Sequence, residues 1–234
     1  AIRILSSHRD GMRVEVEPVL EHALSKVLLQ EHLTWRIGPI NFLFPPVDFR
    51  FDRLPNLLSI SPRNNIFLQE TILLDADLTG AEIERIEKNL LHTLDVSSVV
   101  LPLRGLATYP SIISDTQTER ETLQTVAHEW IHQFWFFNPL GRNYWDSPEM
   151  TTLNETAAEM VGRELGDLAF HIIDWSDQKP NINSEKDMQQ DSFEFRKEMS
   201  KTRMEVDLLL DSGRIEKAEE YMEARRRIFL QNGY

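Results

Sequence analysis

The 234-residue chain has no cysteine, which excludes disulfides, thiolate metal sites and cysteine nucleophiles. Any transition-metal site must be built from His, Asp and Glu. Long apolar runs are also missing: none approaches the roughly 18 residues of a membrane-spanning helix. Basic residues are in deficit, 25 Lys and Arg against 38 Asp and Glu, for a formal net charge of -13. That balance argues against nucleic acid as a partner, because a phosphate backbone is met by clustered positive charge. Ala1 to Gly11 lacks the apolar segment of a signal peptide. A start without Met and an end straight after a helical pattern read as trimmed boundaries, which leaves room for a removed export signal or anchor. A cysteine-free chain suits either side of a membrane, so cytoplasmic and exported or membrane-anchored locations both stay open.

With nine glycines and eleven prolines, breakers are scarce and each one punctuates. Apolar residues at 16, 19, 20, 23, 24, 27 and 28 predict an amphipathic helix over Val16 to Leu33, with Pro18 in its first turn. From Ile37 to Leu74 the segments VDFRF (47–51), NLLSIS (56–61) and NIFLQETILL (65–74) predict two or three strands. Thr79 and Glu82 form a capping-box pattern that opens a helix to about Leu94. Strands are expected again over 97–103 and 106–114. A second capping box, Thr118 with Glu121, opens a helix to about Phe137. Ser147-Pro148-Glu149 starts another, to about Leu165.

Strands before helices predict an α+β fold. The expected division is a core over 1–175, with a sheet part about 37–114 and helices about 117–165. A polar linker over 176–191 and a C-terminal helical hairpin over 192–234, broken at Asp211-Ser212-Gly213, complete it. The run Arg225-Arg226-Arg227 reads as a solvated helix face.

Within TVAHEWIHQFWFF (125–137), His128-Glu129-Trp130-Ile131-His132 fits HExxH. Residues four apart share one helix face with Cβ atoms about 5–6 Å apart, so both imidazoles can bind one ion. Glu129 lies on the neighbouring edge, within reach of a water on that ion. Zinc suits two imidazoles, a carboxylate and an open position. The neighbours Thr125, Val126, Ala127, Trp130, Ile131 and Phe134 are uncharged, as a buried metal-bearing helix requires. The aromatics of this run read chiefly as core packing.

Downstream, Asn154-Glu155-Thr156-Ala157-Ala158-Glu159 follows HExxH as the Asn-Glu-x-x-[Ala/Ser]-[Asp/Glu] pattern does in the gluzincin zinc metallopeptidases, and the chain resembles that class over roughly 105–165. The class includes thermolysin-like and membrane-alanyl-aminopeptidase-like enzymes. The resemblance implies a zincin-like core with HExxH on its active-site helix, a Zn2+ ion on His128, His132 and Glu155, and Glu159 behind a ligand histidine. It implies Glu129 as general base in the hydrolysis of a peptide or protein substrate. Glu149 is the fallback ligand. Twenty-two residues separate His132 from Glu155, a long spacing that the NPLGRNYWDSP loop can absorb. Metzincins fit worse, since Trp135 and Asn138 stand where that class has Gly and His; peptide deformylases need a cysteine ligand.

The class also brings a Tyr or His donor to the oxyanion. Tyr221 is the candidate, in the helical half where the aminopeptidase type keeps its tyrosine; Tyr109, Tyr144, Tyr234 and His171 are the others. The segment Gly105 to Pro110 corresponds to the strand that pairs with extended substrate. No Glu occurs between 105 and 118 to hold a free amine, which favours an endopeptidase over an aminopeptidase. The competing reading is a non-catalytic module that keeps the fold and binds a protein partner.

Overall fold

The computed structural model describes residues 2–173 and 184–234, and the side chains of 13, 15–173 and 195–234. The chain runs α1 (Ile2–Gln30), β1 (Trp35–Ile37), β2 (Ile40–Phe42), β3 (Phe49–Phe51), β4 (Asn56–Pro62), β5 (Glu70–Leu74) and α2 (Gly80–Leu94). It continues through β6 (Val96–Pro102), β7 (Gly105–Leu106), β8 (Ser111–Ile113), α3 (Glu119–Trp135) and α4 (Pro139–Arg142). The last helices are α5 (Pro148–Ile172), α6 (Ser184–Asp211) and α7 (Ile215–Gln231). This is the expected α+β class. Of the linker expected over 176–191, residues 176–183 lie outside the described residues, and α6 begins at Ser184.

Two compact units share the chain. One takes the described residues of 1–57, 74–77 and 102–174, and the other those of 58–73, 78–101 and 175–234. The segment expected to form a single sheet part, 37–114, therefore contributes to both.

The first unit buries one face of α1. Leu20, Ala23, Leu24, Val27 and Leu28 join Leu123, Val126, Trp130 and Ile131 of α3 and Ala158, Leu165 and Ala169 of α5 in one core. The helix reaches further back than the apolar stripe predicts: Pro18 lies inside it, and Val16 and Val19 are exposed. In the three-stranded sheet, β8 lies between β3, to which it is parallel, and β7, to which it is antiparallel. The outer edge of β3 is occupied by α1. Glu21 accepts from the Phe49 N–H at 2.9 Å, and Glu17 accepts from the Phe51 N–H at 2.7 Å. Carboxylates one helical turn apart thus satisfy donors two residues apart on the strand, which blunts that edge. Burial, opposed by the Phe49 N–H and reinforced by Asp48 and Glu17, holds Glu21 above the ordinary carboxylate range.

The principal helix packing of this unit is α3 against α5, and two glycines set its closeness. A Cβ on Gly166 would sit 2.5 Å from the Cα and N of Gln124, and one on Gly162 would sit 2.9 Å from the Cα of His128. Beside them Arg120 pairs with Asp167 through two 2.8 Å bonds, and Gln124 donates to the same carboxylate at 2.6 Å. Alanine normally stabilises a helix interior over glycine by about 1 kcal/mol. Gly166→Ala should do the reverse, because backbone of the facing helix must move, and a net loss of about 1–3 kcal/mol is expected. The measurement is a lower urea midpoint at unchanged slope; a raised midpoint would mean the helices separate freely.

In the second unit β4 lies between β5 and β6. The capping box of Thr79 and Glu82 opens α2 as predicted, and Asp95 closes it in the left-handed region at φ 53°. Arg63 joins Glu219 and Asp95, while Val206, Leu209, Leu210 and Ala218 form the α6–α7 core. The arginine run is only partly a solvated face. Arg226 and Arg227 pair with Glu223 in the open, but Arg225 is largely covered, bonding Glu198 and Thr202 above the Phe229 ring.

Candidate metal centre

Helix α3 starts as the sequence predicts. The Thr118 side chain accepts from the Glu121 N–H while Glu121 accepts from the Thr118 N–H, completing the capping box. Register from this start turns Thr122, Leu123, Val126, Ala127, Trp130 and Ile131 into the core. Trp130 is held further by its indole N–H, which donates to the Pro45 carbonyl at 2.8 Å. Of the other aromatics in the run, Phe134 stacks on Trp130 at 5.2 Å, whereas Phe136 is exposed and not core. His128 and His132 are left on the neighbouring face, towards α5. The Gly162 contact described above lies against the backbone of His128 itself.

Helix α5 is capped by Ser147, whose hydroxyl accepts from the Met150 N–H. Glu155 comes two turns later, and its carboxylate meets the two histidines. The His128 and His132 Nε2 atoms are 3.1 Å apart, and Glu155 Oε2 lies 3.4 Å from the first and 3.5 Å from the second. Among the described residues this is the His/Asp/Glu cluster able to hold a metal ion. Glu149, the fallback ligand, is outside it, exposed in the first turn of α5 and bonded to Ser147.

The donor set fits a small tetrahedral ion. Ligand atoms about 2.0–2.1 Å from zinc in tetrahedral geometry are about 3.3 Å from one another, and the three observed separations bracket that value. The nitrogens offer a second sign. Two imidazole nitrogens facing each other need a proton between them, whereas a cation uses both lone pairs at once. His128 Nδ1 is buried with no hydrogen-bond partner among the described residues. Glu159 approaches it to 3.8 Å, beyond hydrogen-bond distance, and also accepts from Arg163 at 2.7 Å. Glu159 is thus the carboxylate nearest the Nδ1 side of His128, and it is shared with Arg163.

Charge within the cluster is uneven. Burial alone would lower His128, but the Glu155 contact and the charges of Glu129, Glu155 and Glu159 outweigh it and raise its pKa. Burial would likewise raise Glu155, yet the bonds from His128, His132 and Tyr144 hold it well below the usual carboxylate range. Glu129 is different. Only 8% exposed, it is pushed up to about 7 by burial, against the lowering influence of His128 and His132. A carboxylate poised near neutrality is matched to taking and returning a proton.

Strand β7 lies directly over this carboxylate: a Cβ on Gly105 would meet Glu129 Oε1 at 2.3 Å. The β7–β8 turn is clamped to α3 by Gln133, whose amide donates to the Thr108 carbonyl and, at 2.8 Å, to the Ser111 hydroxyl. The edge strand β7 of this sheet therefore passes Glu129.

The tyrosines divide between the two units, Tyr109 and Tyr144 in the first and Tyr221 and Tyr234 in the second. Tyr221 lies on α7 in the second unit, packed on the Val206–Ala218 core. Tyr109 lies exposed in the β7–β8 turn, its pKa raised by burial of its hydroxyl and by the charges of Asp48 and Glu21. His171 is sixteen residues beyond Glu155 on the same helix, about 24 Å along its axis. Within the first unit it is Tyr144 that reaches the cluster. Its hydroxyl donates to Glu155 Oε1, and its ring lies 6.1 Å from that of His132. Burial, followed by the Glu155 bond, raises this phenol further above its ordinary value, so it stays a donor. No sequence signal separates Tyr144 from the other three tyrosines; only the return of the α3–α5 connection does. Gly105 and Gly162 were equally silent.

No protein-family model, curated protein or solved structure matches the chain.

Proposed function

We propose that the protein is a zinc-dependent peptidase with a zincin-like site, in which His128, His132 and Glu155 hold the ion and Glu129 is the general base. The reading is carried by one observation: three donor atoms 3.1, 3.4 and 3.5 Å apart lie on two closely packed helices, beside a buried carboxylate that is not among them. Zinc, when bound, supplies Lewis-acid polarisation of the scissile carbonyl and eases ionisation of the attacking water. Glu129 takes the proton of that water on its carboxylate and returns it to the leaving amine, a role for which a buried carboxylate beside the donor cluster is placed. Strand β7 aligns an extended peptide along the free edge of the sheet, past Glu129. The acid nearest that strand in sequence, Asp115, is engaged by Arg13, which leaves no carboxylate from 105 to 118 to hold a substrate's free amine and favours internal cleavage.

Elemental analysis after dialysis is expected to find close to one zinc per chain. Hydrolysis of casein should be abolished by a chelator and restored by zinc. Zinc retained without turnover of any peptide, blocked or free, would favour the non-catalytic protein-binding module instead. A chain that holds no zinc would sink both.

A further inference from the structure

The twelve-residue connection between α3 and α5, 136–147, is tied down at both ends. Asn154, fully buried, donates from Nδ2 to the Leu140 carbonyl at 2.8 Å. The Thr151 hydroxyl donates to the Tyr144 carbonyl at 2.7 Å, and the Tyr144 N–H donates to the Gly141 carbonyl at 3.2 Å. At the other end the Asn138 amide donates to the Phe134 carbonyl at 3.0 Å. Two of these four bonds engage the Tyr144 backbone, and two of the four donors, Thr151 and Asn154, lie within about a turn of Glu155.

Glu155 is the ligand that needs such support. The backbone and Cβ of His128 are packed closely against Gly162. The Glu155 side chain has three torsions and is 44% exposed. Its two oxygens face different partners: Oε2 faces both imidazoles, and Oε1 accepts from the Tyr144 hydroxyl.

We infer that Tyr144 is a positioning residue for the metal, holding Glu155 Oε1 so that the carboxylate presents Oε2 alone to the ion. The inference rests on the three-ligand site proposed above. One-oxygen ligation leaves the fourth tetrahedral position open, whereas a carboxylate free to swing can offer both oxygens and fill it. Partners that orient a ligand without touching the metal are worth 10–100-fold in metal affinity. Thr151 acts through the Tyr144 backbone and Asn154 holds the same connection at Leu140, so the helix that carries the ligand also holds the loop that aims it.

The test uses the whole protein and reads metal, not turnover. Zinc affinity is measured by competition with a chromophoric chelator for wild type, Tyr144→Phe and Thr151→Val, with helix content followed by circular dichroism. Tyr144→Phe, which loses only the hydroxyl, is expected to bind zinc about 10–100-fold more weakly at unchanged helix content. Thr151→Val is expected to shift affinity the same way by less. With cobalt in place of zinc, the visible absorption of wild type should have the intensity of a four-coordinate ion, and Tyr144→Phe should lose intensity as the second oxygen joins. Equal zinc affinity and equal cobalt spectra for wild type and Tyr144→Phe would overturn the inference and leave the three-ligand site standing. So would unchanged affinity with a reduced kcat, which would put the hydroxyl on the substrate. A wild type that binds neither ion would instead remove the site itself, and the positioning role with it.

Discussion

Glu129→Gln should leave zinc bound at close to one equivalent and lower peptide hydrolysis about 10²–10⁴-fold, the usual contribution of a positioned base. The two halves of that result separate roles that the HExxH spacing leaves joined. Glu129 is on α3 one residue from His128, but its carboxylate is not among the three clustered donors. Glutamine keeps the length, shape and hydrogen-bonding reach of the side chain, so the Gly105 backbone over it and the neighbouring histidines need not move. What glutamine cannot do is accept and return a proton. Stability should not fall, because a buried amide costs less than a buried carboxylate. The assay compares both proteins on casein and on short blocked peptides, with chelator and zinc add-back as controls. Equal cleavage by the two would assign the activity to a contaminant or another site. Loss of zinc from the variant would mean that Glu129 is itself a ligand.

The parts of the molecule legible in the sequence are those written in local chemistry. Both capping boxes form, at Thr79 and Thr118, because a hydroxyl and a glutamate three residues apart can only serve the same helix start. The α6–α7 break at Ser212-Gly213 is equally local, with Gly213 at φ +71°. The β1–β2 hairpin was lost among the strands expected after Ile37. Its strands are three residues long, and Ile37 and Ile40 are both exposed, so no alternation marks them; only Gly38 at φ +60° gives the turn. Helix α4 is a single turn inside what reads as a breaker. Farther from local chemistry the sequence is mute. That segments 58–73 and 78–101 join α6 and α7 rather than the first unit depends on contacts over a hundred residues apart, such as Arg63 with Glu219. The site follows the same rule. His128, Glu129 and His132 are fixed by helix periodicity, while Tyr144, Gly105 and Gly162 matter through what the fold brings against them.

Glu155→Ala should strip the protein of most of its zinc while the fold persists. The ion would be left with His128 and His132, two neutral nitrogens 3.1 Å apart, and no anionic ligand. Glu149 cannot replace the carboxylate from where it stands, being exposed at the helix start with its own partner in Ser147. Nor can Glu159, whose Oε2 lies 3.8 Å from the Nδ1 side of His128 and whose Oε1 accepts from Arg163. The helix should tolerate the change: alanine is the best helix former, and Glu155 is only partly buried, with Leu165, Ala158 and Asn154 carrying the packing of α5. Two neighbours register the loss. Tyr144 is deprived of its acceptor, and the carboxylate that supports protonation of His128 is gone. Elemental analysis after dialysis, beside circular dichroism of the same sample, reads both halves of the expectation. Near-stoichiometric zinc in the folded variant would mean that another group is the third ligand, and Glu149→Ala in the same background would then identify or exclude the remaining candidate. Loss of zinc together with loss of helix would make the carboxylate a structural element first. Loss of zinc with the helices intact is the outcome a metal-binding role requires.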